Sequence, residues 1–234
     1  AKIDDLANEV LKKKMAPGMQ ILVARAGRVI YQKSFGYHTN DTLLKVENSD
    51  IYDVASLTKI LATLPMVMKA EGEGKFRIAT KLKHLLPEFS DTNKDTITLK
   101  EILSHNGRLK AWIPFYKLTQ DSITEKNLPE FYRPKKSKKY SIEVADNLFL
   151  RTSYRDSIFT RIKEVEQREN EGYKYSDLGY YILKKTLEKK YKKPLNVLVQ
   201  ENFYASLGAH RTSYLPLKKF PKNEIVPTEK DEYF

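Results

Sequence analysis

The sequence predicts an α+β domain, in which a sheet is covered by a helix and mostly helical segments follow. Apolar residues recur at helical spacing over residues 3–14, and Pro17-Gly18 ends that run. Two apolar runs, 19–26 and 29–35, flank Gly27-Arg28 and predict a β-hairpin. Helical patterns dominate the rest of the chain. A helix, a hairpin and then further helices are the element order of an α+β fold.

Helical patterns follow the hairpin at several places. Their ranges are 56–70, 82–86, a short run from 98, 155–168, 177–190, and a run from Pro194 to Gly208. Pro65 should interrupt the first of these helices, because proline lacks the N–H and its ring clashes with the preceding turn. Thr98 and Glu101 fit a capping box. Residues 110–150 are rich in aromatic residues and contain prolines, which indicates an irregular lobe rather than a linker.

Composition limits the function classes. The chain has 234 residues, enough for one large domain or one domain with a lobe inserted. It contains no cysteine, which excludes thiol catalysis and cysteine metal sites, and its four histidines show no metal-ligand spacing. We therefore expect no metal and no other cofactor. The net charge of +12 comes mostly from lysines that are spread along the chain and balanced by 30 acidic residues, so no nucleic-acid partner is expected.

The strongest chemical signal is Ser56-Leu57-Thr58-Lys59. Residues three apart share one face of a helix, so the Ser56 hydroxyl and the Lys59 amine can meet. A serine hydroxyl is a weak nucleophile, and a buried lysine with a lowered pKa can take its proton. If Ser56 opens the helix, its backbone N–H also points toward an incoming oxyanion. Because S-x-x-K is common in surface helices, the tetrapeptide alone does not establish a site.

A second candidate is Tyr175-Ser176-Asp177. A phenol held near a lysine ammonium ionises more readily and can relay a proton. A carboxylate two residues later could contact both the lysine and the substrate. The alternative interpretation is an ordinary helix start, with Ser176 or Asp177 as N-cap.

Three motifs follow one another along the chain: Ser56-x-x-Lys59, Leu103-Ser104-His105 and Tyr175-x-Asp177. In order and spacing they resemble the penicillin-recognising serine hydrolases, which include class C β-lactamases, D,D-peptidases and related esterases. The similarity runs through nearly the whole chain. Residues 105–109 and 112–116 are also similar to a branch of β-lactamase-like domains that lie behind a glycoside hydrolase in Bacteroidetes-type envelope proteins.

This resemblance implies a fold. The β-lactamase/D,D-peptidase-like fold is an antiparallel sheet flanked by helices, with an inserted all-helical lobe. Applied to this chain, it implies one domain whose α/β part comprises residues 1–75 and about 170–234, with the lobe at about 76–169.

The resemblance also implies an activity. Ser56 would attack a carbonyl to form an acyl-enzyme, Lys59 would assist its deprotonation, and Tyr175 would relay a proton to the leaving group. Asp177 and Trp112 would contact the substrate, a cell-wall peptide, a β-lactam or a small ester or amide. For Trp112 the alternative is packing within the lobe, and for His105 we favour a hydrogen bond at a helix end over a catalytic role. The implied location is the periplasm or cell envelope, and a fused glycoside hydrolase domain is an implied partner.

The sequence departs from the family pattern at two points. The family usually has Asn where this chain has Asp177, and a carboxylate there should stabilise the Lys59 ammonium and shift the base role toward Tyr175. The family's Lys/His-Thr/Ser-Gly strand is absent, because no glycine of this chain follows Thr or Ser. We therefore expect the sheet to be incomplete. Its C-terminal strands would be missing from this sequence and would act as a further partner, and without them we expect the chain to fold poorly. Both departures favour a second hypothesis, a non-catalytic binding module of an envelope protein.

Overall fold

The structure, a computed structural model, describes residues 2–145 and 147–229. Two compact units divide the chain. The described residues 2–56 and 204–229 form the first, and those between 57 and 203 form the second. The predicted division into an α/β part and an inserted lobe stays a prediction.

Helix α1 (Lys2–Lys12) opens the first unit, where the sequence predicts a helix over 3–14. Asp4 and Asp5 lie in its first turn, at the positive end of the helix dipole. The helix packs against the second strand of the hairpin, and the Lys33 Nζ of that strand lies 2.5 Å from Asp4 Oδ1. The predicted helix is confirmed.

Strands β1 (Gly18–Arg25) and β2 (Arg28–Gly36) form the predicted antiparallel hairpin. The two turn residues, Ala26 and Gly27, have φ values of 48° and 74°. A tight two-residue turn needs positive φ at both positions, because only then does its twist match that of the strands. The turn is therefore centred one residue before the predicted Gly27-Arg28.

The second unit is mainly helical. Its α-helices are α2 (Leu64–Gly72), α3 (Leu82–Leu85), α4 (Leu99–Leu103), α5 (Tyr154–Glu164), α6 (Leu178–Tyr191) and α7 (Leu195–Val199). Thr98 caps α4, and the Thr98 and Glu101 side chains each accept the other's backbone N–H, which confirms the predicted capping box. The run predicted from Pro194 to Gly208 is α-helical only as far as Val199.

Pro65 changes the helix that the sequence predicts over 56–70. The run begins with a 3-10 turn (Ala55–Leu57), continues as a π-helical turn (Lys59–Thr63) and becomes α-helical only at Leu64. The Leu64 N–H donates to the Lys59 carbonyl, five residues back. In a regular α-helix Pro65 would lack the bond to the fourth preceding carbonyl and would clash with it, so the wider turn relieves that conflict.

The prediction that the inserted lobe is all-helical is wrong over residues 132–151. Strands β3 (Tyr132–Arg133), β4 (Tyr140–Ala145) and β5 (Leu148–Arg151) form an antiparallel sheet with the order β3-β5-β4. In β4 the aromatic and β-branched residues Tyr140, Ile142 and Val144 alternate with Ser141 and Glu143, a pattern that suits a strand. Asn147, with φ of 56°, follows β4, and asparagine tolerates that conformation.

Apolar side chains of the helices fill the core of the second unit. Met66, Leu82, Leu99, Ile102, Leu178, Ile182, Leu183, Leu187 and Val199 are 0–1% exposed. One charged side chain lies among them. Lys94 is 0% exposed, and its Nζ donates to the carbonyls of Lys163 and Val165 at the end of α5 and to Asn93 Oδ1. The ammonium therefore satisfies carbonyl groups that the helix end leaves without partners.

One face of the run that starts at Leu57 is apolar and exposed. Leu57, Ile60, Leu61 and Met68, at helical spacing, are 42–66% exposed. Within the described part of the chain, no helix combines the length and the apolar character needed to cross a membrane.

Candidate active site

Ser56 lies in a turn whose backbone is strained. Ala55, the residue before it, has φ of 44°, which alanine rarely adopts, and its N–H donates to Asp53 Oδ1 at 2.7 Å. Such strain is often found where a reactive side chain must be presented. Ser56 itself is exposed and is the last residue of the first unit's N-terminal segment. The other candidate residues belong to the second unit.

Lys59 is held in the second unit by groups that come from far along the chain. Its side chain is 14% exposed, and its Nζ donates to Asp177 Oδ1 at 2.6 Å. The same nitrogen lies 4.9 Å from the ring centroid of Tyr175 and 5.6 Å from that of Tyr180. The structure therefore brings together Lys59, Tyr175 and Asp177, as the sequence predicts.

The contacts of Lys59 favour its charged form. Burial by itself lowers the pKa of the amine, but hydrogen bonds and charge from Asp177 and Tyr175 outweigh it and raise the pKa above the ordinary value. At neutral pH Lys59 is therefore an ammonium ion. In this state it can stabilise a negative charge on a phenol or on a substrate, but it cannot accept a proton.

The segment 175–177 is held by backbone contacts. The Asp177 N–H donates to the Ala111 carbonyl at 2.8 Å, and the Ser176 hydroxyl donates to the Lys110 carbonyl at 2.7 Å. Ser176 Oγ also accepts the Leu178 N–H at the start of α6. The Asp177 side chain makes no capping bond, because it is turned toward Lys59. Of the two N-cap candidates, Ser176 therefore performs the capping.

Gly179 lets α4 approach the start of α6. A Cβ atom at this position would lie 2.7 Å from Ile102 Cγ2, closer than real contacts allow. Ile102 is 1% exposed and belongs to α4. Because α4 leads directly into Ser104 and His105, this close approach sets the position of the loop that faces Tyr175.

Trp112 and His105 take different positions in the site. Trp112 follows Ala111, whose carbonyl binds the Asp177 N–H, and its side chain is 56% exposed. This exposure argues against the alternative that Trp112 packs within the lobe. The His105 ring lies 4.6 Å from the Tyr175 ring, and its Nδ1 accepts the Ser176 N–H at 3.1 Å. The hydrogen bond favoured for His105 is therefore made to the Tyr175 segment.

Sequence reasoning missed Tyr180. This residue lies three positions after Asp177 in α6, so that both side chains share the helix face that Lys59 meets. The helical spacing was the signal that could have identified it.

No cluster of three or more metal-ligating side chains exists among the residues that the structure describes.

Comparison with known proteins identifies the family. The model of the beta-lactamase family matches residues 3–228, so the chain belongs to that family. Among its relatives, the N-acetylmuramyl-L-alanine amidase of Bacillus subtilis (strain 168) is 28% identical over 228 residues, which cover 92% of this chain and 46% of the relative. The putative D-alanyl-D-alanine carboxypeptidase of Escherichia coli (strain K12) is 25% identical over 227 residues, 91% of this chain and 47% of the relative. The chain thus spans about half the length of these relatives.

Solved structures show the same fold. The octameric penicillin-binding protein homologue from Pyrococcus abyssi superposes with a TM-score of 0.71 at 17% identity, over 96% of this chain and 46% of that one. The class C beta lactamase from Rhodobacter sphaeroides has a TM-score of 0.63 at 16% identity, over 89% of this chain and 49% of that one. The predicted α+β fold and the resemblance to this family of serine hydrolases are confirmed.

Proposed function

We propose that this chain carries the nucleophile's part of a serine hydrolase, which acts through an acyl-enzyme at Ser56. The observation that carries the proposal is the contact of Lys59 with Tyr175, a residue 116 positions away in the chain. The motifs predict this contact, and an activated serine needs a nearby group that can take its proton. Ser56 precedes Lys59 by three positions, in the strained turn that opens the helical run.

The roles follow from charge. Lys59 is an ammonium ion, so Tyr175 in its phenolate form is the group that takes the Ser56 proton and becomes a phenol, and Lys59 stabilises the negative charge that the phenolate carries before the transfer. The serine oxygen attacks the carbonyl carbon, the bond to the leaving group breaks, and Tyr175 returns the proton to the leaving group. Water then hydrolyses the ester at Ser56.

The proposed substrates are cell-wall peptides, β-lactams and small esters or amides. Two relatives are named as an amidase of N-acetylmuramyl-L-alanine and as a putative D-alanyl-D-alanine carboxypeptidase, which supports the first class. A location in the periplasm or cell envelope follows from that substrate. We retain Asp177 and Trp112 as substrate contacts, since both are exposed near the Tyr175 segment. Further strands of the same fold and a fused glycoside hydrolase domain remain proposed partners.

A second candidate function is a binding module that keeps the fold without turnover. The ion pair of Lys59 with Asp177 favours this function, because the Asp177 carboxylate already binds the ammonium group that would otherwise bind a substrate oxyanion. Such a module would bind a peptide or a lactam reversibly and leave Ser56 unmodified.

Covalent labelling distinguishes the two functions. The intact protein is incubated with a fluorophosphonate or fluorescent penicillin and measured by mass spectrometry. We expect one adduct, located at Ser56 by peptide mapping and lost in Ser56→Ala. Ser122→Ala, which removes another exposed hydroxyl, is the control and should label fully. The enzyme proposal fails if the protein remains unlabelled, or if Ser56→Ala labels as fast as the wild type.

A further inference from the structure

His105 contacts the Tyr175 segment on both sides of the tyrosine. The Lys174 N–H donates to the His105 carbonyl at 3.0 Å, and the Ser176 N–H donates to His105 Nδ1 at 3.1 Å. Tyr175 lies between these two donors, with its ring tilted 39° against the imidazole. One residue therefore fixes the backbone before and after the proposed proton relay.

The backbone of His105 makes this double contact possible. His105 follows α4 and has φ of 57°, a left-handed conformation that glycine usually occupies at a helix end. Histidine in that position costs conformational energy that glycine would not. Glycine, however, has no side chain and would leave the Ser176 N–H without its acceptor.

The contact requires one form of the imidazole. A backbone N–H only donates, so His105 Nδ1 must be unprotonated, and a neutral ring carries its proton on Nε2. A second proton would put an N–H against the Ser176 N–H and end the bond. Burial and the nearby Lys59 lower the pKa of His105, and Asp177 opposes them, which keeps the ring neutral at pH 7. The other titratable groups that face the ring are Tyr173, Tyr175 and Tyr180.

We propose that His105 is a positioning residue whose neutral ring holds Tyr175 beside Lys59, and whose protonation releases Tyr175 and inactivates the site. The proposal rests on the proposed function for its effect on rate, but the geometry that it describes is independent of turnover. His105 takes no part in the proton transfers of the proposed mechanism. It acts only through the segment 174–176.

Two substitutions separate this role from simple packing. In His105→Asn the side chain does not titrate, its amide oxygen takes the place of Nδ1, and asparagine tolerates positive φ. We expect His105→Asn to label with fluorophosphonate within about threefold of the wild type at pH 7.5. Because the pKa of His105 is lowered, we expect the wild type to lose labelling rate on acidification only below about pH 6.5, the ordinary pKa of histidine, and His105→Asn to lack that loss. His105→Gln, whose polar group reaches the position of Nε2 instead, should lose at least about tenfold at every pH, since the Ser176 N–H loses its acceptor.

Nuclear magnetic resonance tests the geometry without any activity. Long-range ¹H–¹⁵N spectra of the wild type should show the Nε2–H tautomer of His105, and the ring signals of Tyr175 should shift as His105 titrates. In His105→Asn those Tyr175 signals should not shift over the same pH range. An Nδ1–H tautomer, or the same acid loss of labelling in His105→Asn, would overturn the proposal. If the wild type is not labelled at all, the proposed function fails, and the tautomer and the Tyr175 shifts still decide the role of His105.

Discussion

Asp177→Asn tests how charge controls the candidate site. In the structure the Lys59 Nζ and Asp177 Oδ1 lie 2.6 Å apart, and Asp177 is 41% exposed. Water reaches this pair, so we calculate the Coulomb attraction of the two charges with the dielectric constant of water. At that separation the attraction is about 1.6 kcal/mol. Losing this energy raises the fraction of neutral Lys59 amine about tenfold at a given pH.

The expected result follows from the sign of that change. The raised pKa of Lys59 keeps the amine charged at neutral pH, and removing the carboxylate lowers the pKa, so deprotonation begins at a lower pH. A neutral Lys59 can accept the Ser56 proton directly, which adds a second route beside the transfer to Tyr175. We therefore expect the labelling rate of Asp177→Asn at pH 7 to rise by up to about tenfold. The increase of the labelling rate with pH should also begin at a lower pH than in the wild type.

The assay is the rate of fluorophosphonate labelling at Ser56 between pH 6 and pH 10. Glu201→Gln is the matched control, because it removes the carboxylate of another ion pair, 2.8 Å from Lys193, whose two side chains are both about half exposed. Its profile should equal that of the wild type. A profile of Asp177→Asn that stays in place, or a rate that falls, would refute the reasoning that Asp177 holds Lys59 in its charged form.

Two further predictions concern stability, measured by urea unfolding. Lys94→Met should lower the free energy of unfolding by about 2–4 kcal/mol, because helix-end carbonyls lose their donor. Burial lowers the pKa of Lys94 to about 8, below its unfolded value, so the wild type should gain stability as pH rises from about 8 to about 10, and the variant should not. Gly179→Ala should lower the free energy of unfolding by about 1 kcal/mol, because overpacking against Ile102 exceeds the gain in helix propensity. Gly72→Ala is the matched control and should raise the free energy of unfolding, because a Cβ atom added there meets no atom. A more stable Lys94→Met, or equal effects of the two alanines, would contradict these arguments.

Local features of the fold could be predicted from the sequence, because the residues that determine them are neighbours. The capping box needs only Thr98 and Glu101, three positions apart, and the hairpin needs a glycine between two apolar runs. The small sheet over 132–151 was missed, since its strands are two to six residues long and prolines and charges precede them. The π-helical turn at Lys59 was predicted only as an interruption by Pro65, because its form depends on how the surrounding chain accommodates the ring.

The candidate site, like the fold, could be predicted only in part from the sequence. The motifs predict Lys59, Tyr175 and Asp177 as neighbours, and in the structure Lys59 contacts both of the other residues, whereas their catalytic roles stay predictions. The double contact of His105 was not predictable, because it depends on a left-handed backbone and on the close approach of two helices at Gly179. Tertiary packing decides such contacts, and a single sequence carries no local signal for them.

The ion pair of Lys59 with Asp177 does not by itself decide between the enzyme and the binding module. A carboxylate that is 41% exposed is partly hydrated, and once desolvation and side-chain entropy offset the Coulomb attraction, pairs of this kind contribute a net stabilisation of only about 1 kcal/mol or less. A substrate that places an anionic group or a developing oxyanion near Lys59 can displace the carboxylate at that small cost, because the released Asp177 returns to water. The pair therefore keeps Lys59 charged in the absence of substrate but does not prevent a substrate from binding Lys59. Turnover then depends on whether Tyr175 stays beside Lys59 once Asp177 has moved, and the two hydrogen bonds that His105 accepts are the contacts that hold it there.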